Sequence, residues 1–138
     1  MSVDSILRRM KTIAVVGLSK DPSKDSHSVS MYMKEHGYEI IPINPTADKI
    51  MGLRSYPSLV AIPDDLKKRI DVINIFRRSE DVPPIVDDAI KLKNFIKKPL
   101  VVWMQLGIVN KEAAKKAESA GIEVVMNVCI RTEHRKRL

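Results

Sequence analysis

Apolar residues gather along this chain in five short runs, at residues 12–18, 39–43, 71–76, 100–105 and 122–127, each rich in valine and isoleucine and bounded by polar, glycine or proline residues. Within the runs the apolar positions are consecutive rather than alternating, which marks strands buried on both faces. Three stretches between them read as helices: residues 26–36, closed by Gly37; Pro83 to about residue 93, opened by proline; and residues 110–120, closed by Gly121. Ser26 and Asn110 suit helix N-caps, and Gly37 and Gly121 fall where helices end in a left-handed residue. Strands that alternate with helices need crossover connections, so the pattern predicts an α/β fold, a mainly parallel five-stranded sheet sandwiched between helices. Residues 46–66 break the rhythm, because Pro57 and Pro63 are poor company for a crossover helix. An extended piece around Tyr56 and a helical turn near residues 58–61 are expected there. Residues 1–11 read as a short amphipathic helix, and residues 129–138 as a last helix packed by Ile130, His134 or Leu138. No repeat and no linker divides the chain, so one domain over residues 1–138 is expected.

Charge narrows the partners. Lys and Arg number 24 against 17 Asp and Glu, a formal net charge of +7, which favours anionic partners such as nucleic acid, a membrane surface or a phosphorylated metabolite. The end of the chain is densest, with Arg131, His134, Arg135, Lys136 and Arg137 against Glu133. A solvated helix end suits that run, since cations favour the negative pole of a helix; a nucleic-acid arm is the alternative. No apolar run approaches the ~20 residues of a membrane span, and the first residues lack a secretory signal's apolar core, so a cytoplasmic protein is expected. Cys129, the single cysteine, cannot form an internal disulfide, and no Cys/His grouping has zinc spacing, so no metal ligand is expected.

In an open parallel sheet, ligands bind beyond the carboxyl ends of the strands where strand order reverses, so the candidate chemistry lies in the segment just after each strand. After the first strand comes a small polar loop from Gly17 through Leu18, Ser19 and Lys24 to Ser26. Glycine permits close backbone approach, the first helical N–H groups are free donors, and Ser19, Ser26 and Lys24 add hydroxyls and a cation, which is how a phosphate site is built. An ordinary strand-to-helix turn would look the same. After the second strand, Asn44-Pro45 makes a rigid corner against which an adenine ring could rest, with Lys49 a candidate phosphate partner; a strand terminator is the plainer reading. After the third come Phe76, Arg77 and Arg78, of which side-chain alternation lets one or both engage a phosphate, against a merely solvated pair. Trp103 reads as core and Gln105 as a polar contact at the strand edge; Cys129 follows the fifth strand at the same end.

Several chemistries lack their residues. The chain has neither G-x-G-x-x-G nor an acidic residue after the second strand, as a nicotinamide dinucleotide site would show, and no G-x-x-x-x-G-K-[ST] loop. His27, His36 and His134 are scattered, and no nucleophile–base or paired-carboxylate arrangement stands out, so no catalytic residue is expected.

The segments GLSKDPSKDSHSVSMYMKEHGYEIIPINP, VINIFRRSEDVPPIVDDAI and VVWMQLGIVNKEAAKKAESAGIEVVMNVCI, with the closing EH, together resemble the small stand-alone coenzyme A-binding proteins. Those in turn resemble the nucleotide-binding domain of the succinyl-CoA synthetase alpha subunit. The similarity runs from about residue 11 to residue 134. It implies a Rossmann-like three-layer sandwich with coenzyme A as the cofactor, Gly17–Ser19 and Lys24/Ser26 holding the pyrophosphate, Asn44-Pro45 beside the adenosine and Phe76-Arg77-Arg78 along the flank. Relatives often carry arginine in place of Lys24, another arginine near Ser28, and lysine in place of Thr46, where Lys49 is the candidate substitute. A synthetase also needs a phosphohistidine domain and a partner subunit. The expected function is therefore binding of coenzyme A or an acyl-CoA without catalysis, with a mixed disulfide at Cys129 as a redox-linked extension and a buried packing role for that thiol as its rival. An NAD(P)-dependent enzyme and a nucleic-acid binder are the alternatives; both are disfavoured, and self-association is left open.

Overall fold

The structure, a computed structural model, describes residues 2–138. Along the chain run α1 (Val3–Arg9), β1 (Thr12–Val16), α2 (Asp25–Glu35), β2 (Glu39–Ile43), the short strands β3 (Lys49–Ile50) and β4 (Leu53–Arg54), α3 (Asp64–Lys67), β5 (Val72–Ile75), α4 (Val82–Ile96), β6 (Val101–Met104), α5 (Lys111–Ser119), β7 (Glu123–Val125) and α6 (Ile130–Arg137). Single 3-10 turns lie at Leu59–Ala61 and Ser79–Asp81. The five-stranded sheet has the order β2-β1-β5-β6-β7 and is parallel throughout. This is the expected Rossmann-like three-layer sandwich.

Consecutive apolar residues serve the two faces in turn. Ala14, Val16, Ile73, Ile75, Val102 and Met104 pack with Val82, Val86 and Ala89 of α4 and the alanines of α5. Ile13, Val15, Val72, Val101 and Trp103 face the other way, onto Leu7 of α1, Val29 and Met33 of α2 and Ile130 of α6. Alternation along each strand therefore holds helices on both faces, and the polar Asn74 is accommodated within β5 by donating to the Trp103 carbonyl and the Gln105 Oε1.

The turn expected near residues 58–61 is the 3-10 turn Leu59–Ala61, and the extended piece around Tyr56 is a one-residue parallel bridge beside Ile43. The Tyr56 N–H donates to the Pro42 carbonyl at 3.0 Å, and its own carbonyl accepts from the Asn44 N–H at 2.9 Å. Counting that bridge as a vestigial strand gives the doubly wound order 3-2-1-4-5-6, with reversal between β1 and β5. The β3–β4 hairpin was not anticipated; its turn places Met51 and Gly52 both at positive φ (58° and 74°).

Helix ends correct two expectations. Asn110 caps α5 as expected, its Oδ1 accepting from the Ala113 N–H at 2.9 Å. Ser26 does not cap α2: it lies inside the first turn, and its hydroxyl oxygen accepts instead from the Ser19 N–H at 2.9 Å. Helix α4 continues to Ile96 and ends on Lys97 in the left-handed region, with no glycine to announce it. On α6, Ile130 and His134 are buried, but Leu138 is 52% exposed and does not pack the helix.

Candidate functional site

Strands β1 and β5 are neighbours, yet β1 leads into α2 on one face and β5 into α4 on the other. The gap between the two departing chains is bordered by Gly17 and Phe76. Gly17 (φ +88°) donates its N–H to the Ile43 carbonyl at 3.0 Å, while the Phe76 N–H reaches the Val16 carbonyl at 2.9 Å. The first reason for glycine is thus the approach of the β5 exit to the β1 exit, rather than the approach of a ligand.

The loop after Gly17 is held internally. The buried Leu18 contributes its carbonyl oxygen, which accepts from the Asn44 Nδ2 at 3.0 Å, so the β1 and β2 exits are tied together. The Asn44 Oδ1 accepts from the Thr46 N–H and hydroxyl, both at 2.8 Å. The Ser19 hydroxyl oxygen accepts from the Asp21 N–H at 3.0 Å, and the Asp21 carboxylate accepts from the Ser23 N–H and hydroxyl at 2.9 and 2.8 Å. Those Ser23 bonds hold the Asp21 carboxyl below the usual carboxylate range. The arrangement leaves the first N–H groups of α2 at the mouth of a fixed loop. Lys24 stands at the start of that helix with its side chain exposed.

Two clefts flank this edge. The first, about 270 Å³, runs from Gly17 and Ile43 past Pro45, Pro57 and Leu59 to Ile85 of α4. Proline rings and aliphatic side chains supply the apolar part of its lining, and Arg77, Asp81 and Asp88 the charged part. The second, about 400 Å³, lies across the sheet edge between Val29 of α2, Phe76, Gln105, Ile108, Cys129 and Arg131. Arg77 lines both.

The adjacent arginines separate as alternation requires. Arg77 faces the clefts, whereas the Arg78 side chain is 74% exposed and lines neither. Both lean on Asp81, with Arg77 Nη2 at 3.3 Å and Arg78 Nε at 3.2 Å from its carboxylate, and the Arg78 guanidinium first, then Arg77, holds the Asp81 carboxyl below its ordinary value. Gln105 lines the second cleft at the strand edge but shows it little surface. It is 5% exposed, and its Oε1 accepts from the Asn74 Nδ2 at 3.2 Å and from the Ile130 N–H at 3.0 Å, which fixes the start of α6. Trp103 is core, its indole N–H donating to the Val128 carbonyl at 2.8 Å.

Cys129 precedes α6 and is half-buried in the wall of the second cleft. Burial alone would push its thiol up. Hydrogen bonds to the sulfur from the Thr132 N–H and hydroxyl, the Gln105 amide and the Arg131 N–H outweigh it, and the thiol lies below its ordinary pKa. Lys49 sits on β3 beside a different depression, with Arg54 and Tyr56, and lines neither cleft.

Residues 11–135 match the family described as CoA binding domain. The chain belongs to that family. It is 41% identical over 132 residues to the uncharacterized protein YneT of Bacillus subtilis, an overlap of 96% of this chain and 91% of that one. A solved hypothetical protein from Pyrococcus horikoshii OT3 superposes with a TM-score of 0.85 at 36% identity, over 99% of this chain and 95% of its own. Acetate–CoA ligase [ADP-forming] II of Archaeoglobus fulgidus is 39% identical over 62 residues, 44% of this chain but 9% of the ligase, so the matched stretch spans a small part of that protein's length. The family read from the sequence segments is thereby shown.

Within this CoA binding domain, Pro57, Asp81, Ile85 and Arg131 border the clefts although none of them is among the site residues expected from the sequence. Asp81 had a signal, its i+4 and i+3 spacing from Arg77 and Arg78. Among the described residues, no group of three or more His, Cys, Asp or Glu is placed to hold a metal ion, and no helix is long and apolar enough to cross a membrane.

Proposed function

We propose that this protein binds coenzyme A or an acyl-CoA across the carboxyl edge of its sheet, as a binding module rather than an enzyme. The carrying observation is the pair of clefts joined at Arg77, beside the N-terminus of α2. A ligand with a planar base at one end, phosphates in the middle and a flexible arm at the other matches that sequence of surfaces. Pro45 and Pro57 offer the base a flat apolar wall, the α2 N-terminus and Arg77 face the phosphates, and the second cleft takes the arm toward Cys129. Membership of the CoA binding domain family supports the same ligand.

The finer part of the reading concerns the thiol. Cys129 attacks the disulfide of a bound CoA disulfide as a thiolate; a new S–S bond forms to one coenzyme A sulfur, the ligand's own S–S bond breaks, and coenzyme A leaves as a thiolate. The exchange balances without a further oxidant, and the hydrogen bonds on the Cys129 sulfur favour its attacking form.

Thermal unfolding of the full chain tests the ligand. Coenzyme A raises Tm, because a ligand selective for the folded state at 100 times its Kd stabilises it by about 2.7 kcal/mol. NAD and NADP at the same concentration leave it unchanged, and dephospho-CoA gives a smaller shift. A comparable shift with NAD would overturn the assignment.

A further inference from the structure

The basic run at the end of the chain divides into committed and uncommitted residues. The Arg135 guanidinium carbon lies 5.0 Å from the centre of the Tyr32 ring, and Lys136 and Arg137 approach the Glu133 carboxylate at 3.6 and 3.2 Å. Arg131 turns the other way, into the second cleft, in the first turn of α6. Its Nε is shielded from solvent and has no hydrogen-bond acceptor, and among the described residues its guanidinium takes part in no hydrogen bond or ion pair. A guanidinium presents five N–H donors, and no protein group among the described residues engages those of Arg131, so the part of it that lines the cleft is left to an acceptor from outside the protein. Arg77, the other arginine of this cleft, already has Asp81.

From this we infer that Arg131 is a ligand-binding residue, taking an anionic oxygen of the molecule in the second cleft in a charge-assisted hydrogen bond. The inference rests on the coenzyme A reading and deepens it. Two sources supply that chemistry: a phosphate of the coenzyme's middle, or a free carboxylate on the acyl group of an acyl-CoA whose thioester end lies near Cys129. Paired oxygens of a phosphate or a carboxylate both match the guanidinium fork, which lysine does not reproduce.

Calorimetric titration of the full-length wild type, R131M and R131K with CoA, butyryl-CoA and succinyl-CoA tests it. Methionine keeps an apolar stem and removes the charge; lysine restores charge without the fork. If a phosphate is the partner, R131M weakens all three ligands at least about ten-fold, the loss of a charge-assisted hydrogen bond, with R131K between. If a carboxylate is the partner, wild type prefers succinyl-CoA over butyryl-CoA, which has the same chain length, and R131M erases that preference while binding CoA normally. R131M binding all three as wild type does, or R131M and R131K losing affinity equally, would overturn the role of Arg131. Failure of wild type to bind any of the three would overturn the coenzyme A reading and this inference with it.

Discussion

Gly17 lies so close to Phe76 that a Cβ on it would stand 2.5 Å from the Phe76 carbonyl oxygen. The atom it would meet is backbone at the end of β5, which cannot swing aside as a side chain does. Gly17→Ala is therefore expected to destabilise the protein by more than about 2 kcal/mol, the left-handed strain of about 1–2 kcal/mol plus the clash. Gly107 has a similar φ of +86° but no heavy atom within 4 Å of its notional Cβ, so Gly107→Ala meets the strain alone. Denaturant unfolding of both variants measures the gap. Equal losses would show that the β1 and β5 exits can part without cost.

Arg77 and Arg78 are adjacent in sequence but unequal in position, which predicts unequal effects on coenzyme A affinity. Arg77→Ala weakens binding by roughly 1.5–3 kcal/mol, the value of a hydrogen bond to a charged group, whereas Arg78→Ala stays near wild type because that side chain lines neither cleft. Asp81→Asn releases Arg77 from its carboxylate partner and is expected to strengthen binding. Calorimetric titration decides; a larger loss for Arg78→Ala than for Arg77→Ala would reverse the assignment.

The strands were legible because a doubly covered parallel sheet demands near-continuous apolar runs, and the stretch 39–43, apolar after the exposed Glu39, coincides with β2. The other runs overshoot their strands, since Leu18, Phe76 and Gln105 stay apolar or buried after the chain has left the sheet. The β3–β4 hairpin was hidden because Met51, a residue with no turn preference, occupies a positive φ usually given to asparagine or glycine. Ser26 misled for a related reason: a serine near a helix start reads as a cap, while its hydroxyl serves the Ser19 N–H across the loop. Arg131 was invisible within a run of basic residues, since only the packing of Ile130 against the sheet decides which of them turns inward.

Acid should weaken the fold through His134. This side chain is 7% exposed between α2 and α6, with its Nδ1 2.7 Å from the Tyr32 hydroxyl and the His36 and Tyr38 rings at 5.2 and 5.6 Å. Burial first, then the nearness of His36, holds its pKa below the ordinary imidazole value, and Arg135 on the same helix adds no compensating negative charge. The unfolded chain therefore takes up the proton first, so the stabilising contribution is complete above the unfolded pKa of about 6.5 and is lost as pH falls toward the folded value. Tm is expected to drop between pH 7.5 and 5.5, with a shallower slope in His134→Gln. Parallel slopes for the two proteins would remove His134 from the account.

On the proposed reading, the Cys129 thiol is the group that would join coenzyme A binding to covalent capture, and its neighbours make that proposal testable. Hydrogen bonds to the sulfur from Thr132, Gln105 and Arg131 outweigh burial, so more thiolate is present near neutral pH than for an ordinary cysteine. Incubation with CoA disulfide is expected to add one coenzyme A to the intact mass, reversibly by reductant and not at all in Cys129→Ser. Thr132→Val removes the hydroxyl donor while keeping the backbone one, so the thiol rises and the adduct forms more slowly at pH 7, with the difference closing as pH approaches the free-thiol value of about 8.5. A cysteine that merely packs the end of β7 against α6 gives a different result: wild type stays unmodified even where coenzyme A binding is demonstrated by titration, because a disulfide can form only where the two sulfurs reach bonding distance. That outcome would leave the second cleft as a binding surface and remove capture from the function of Cys129.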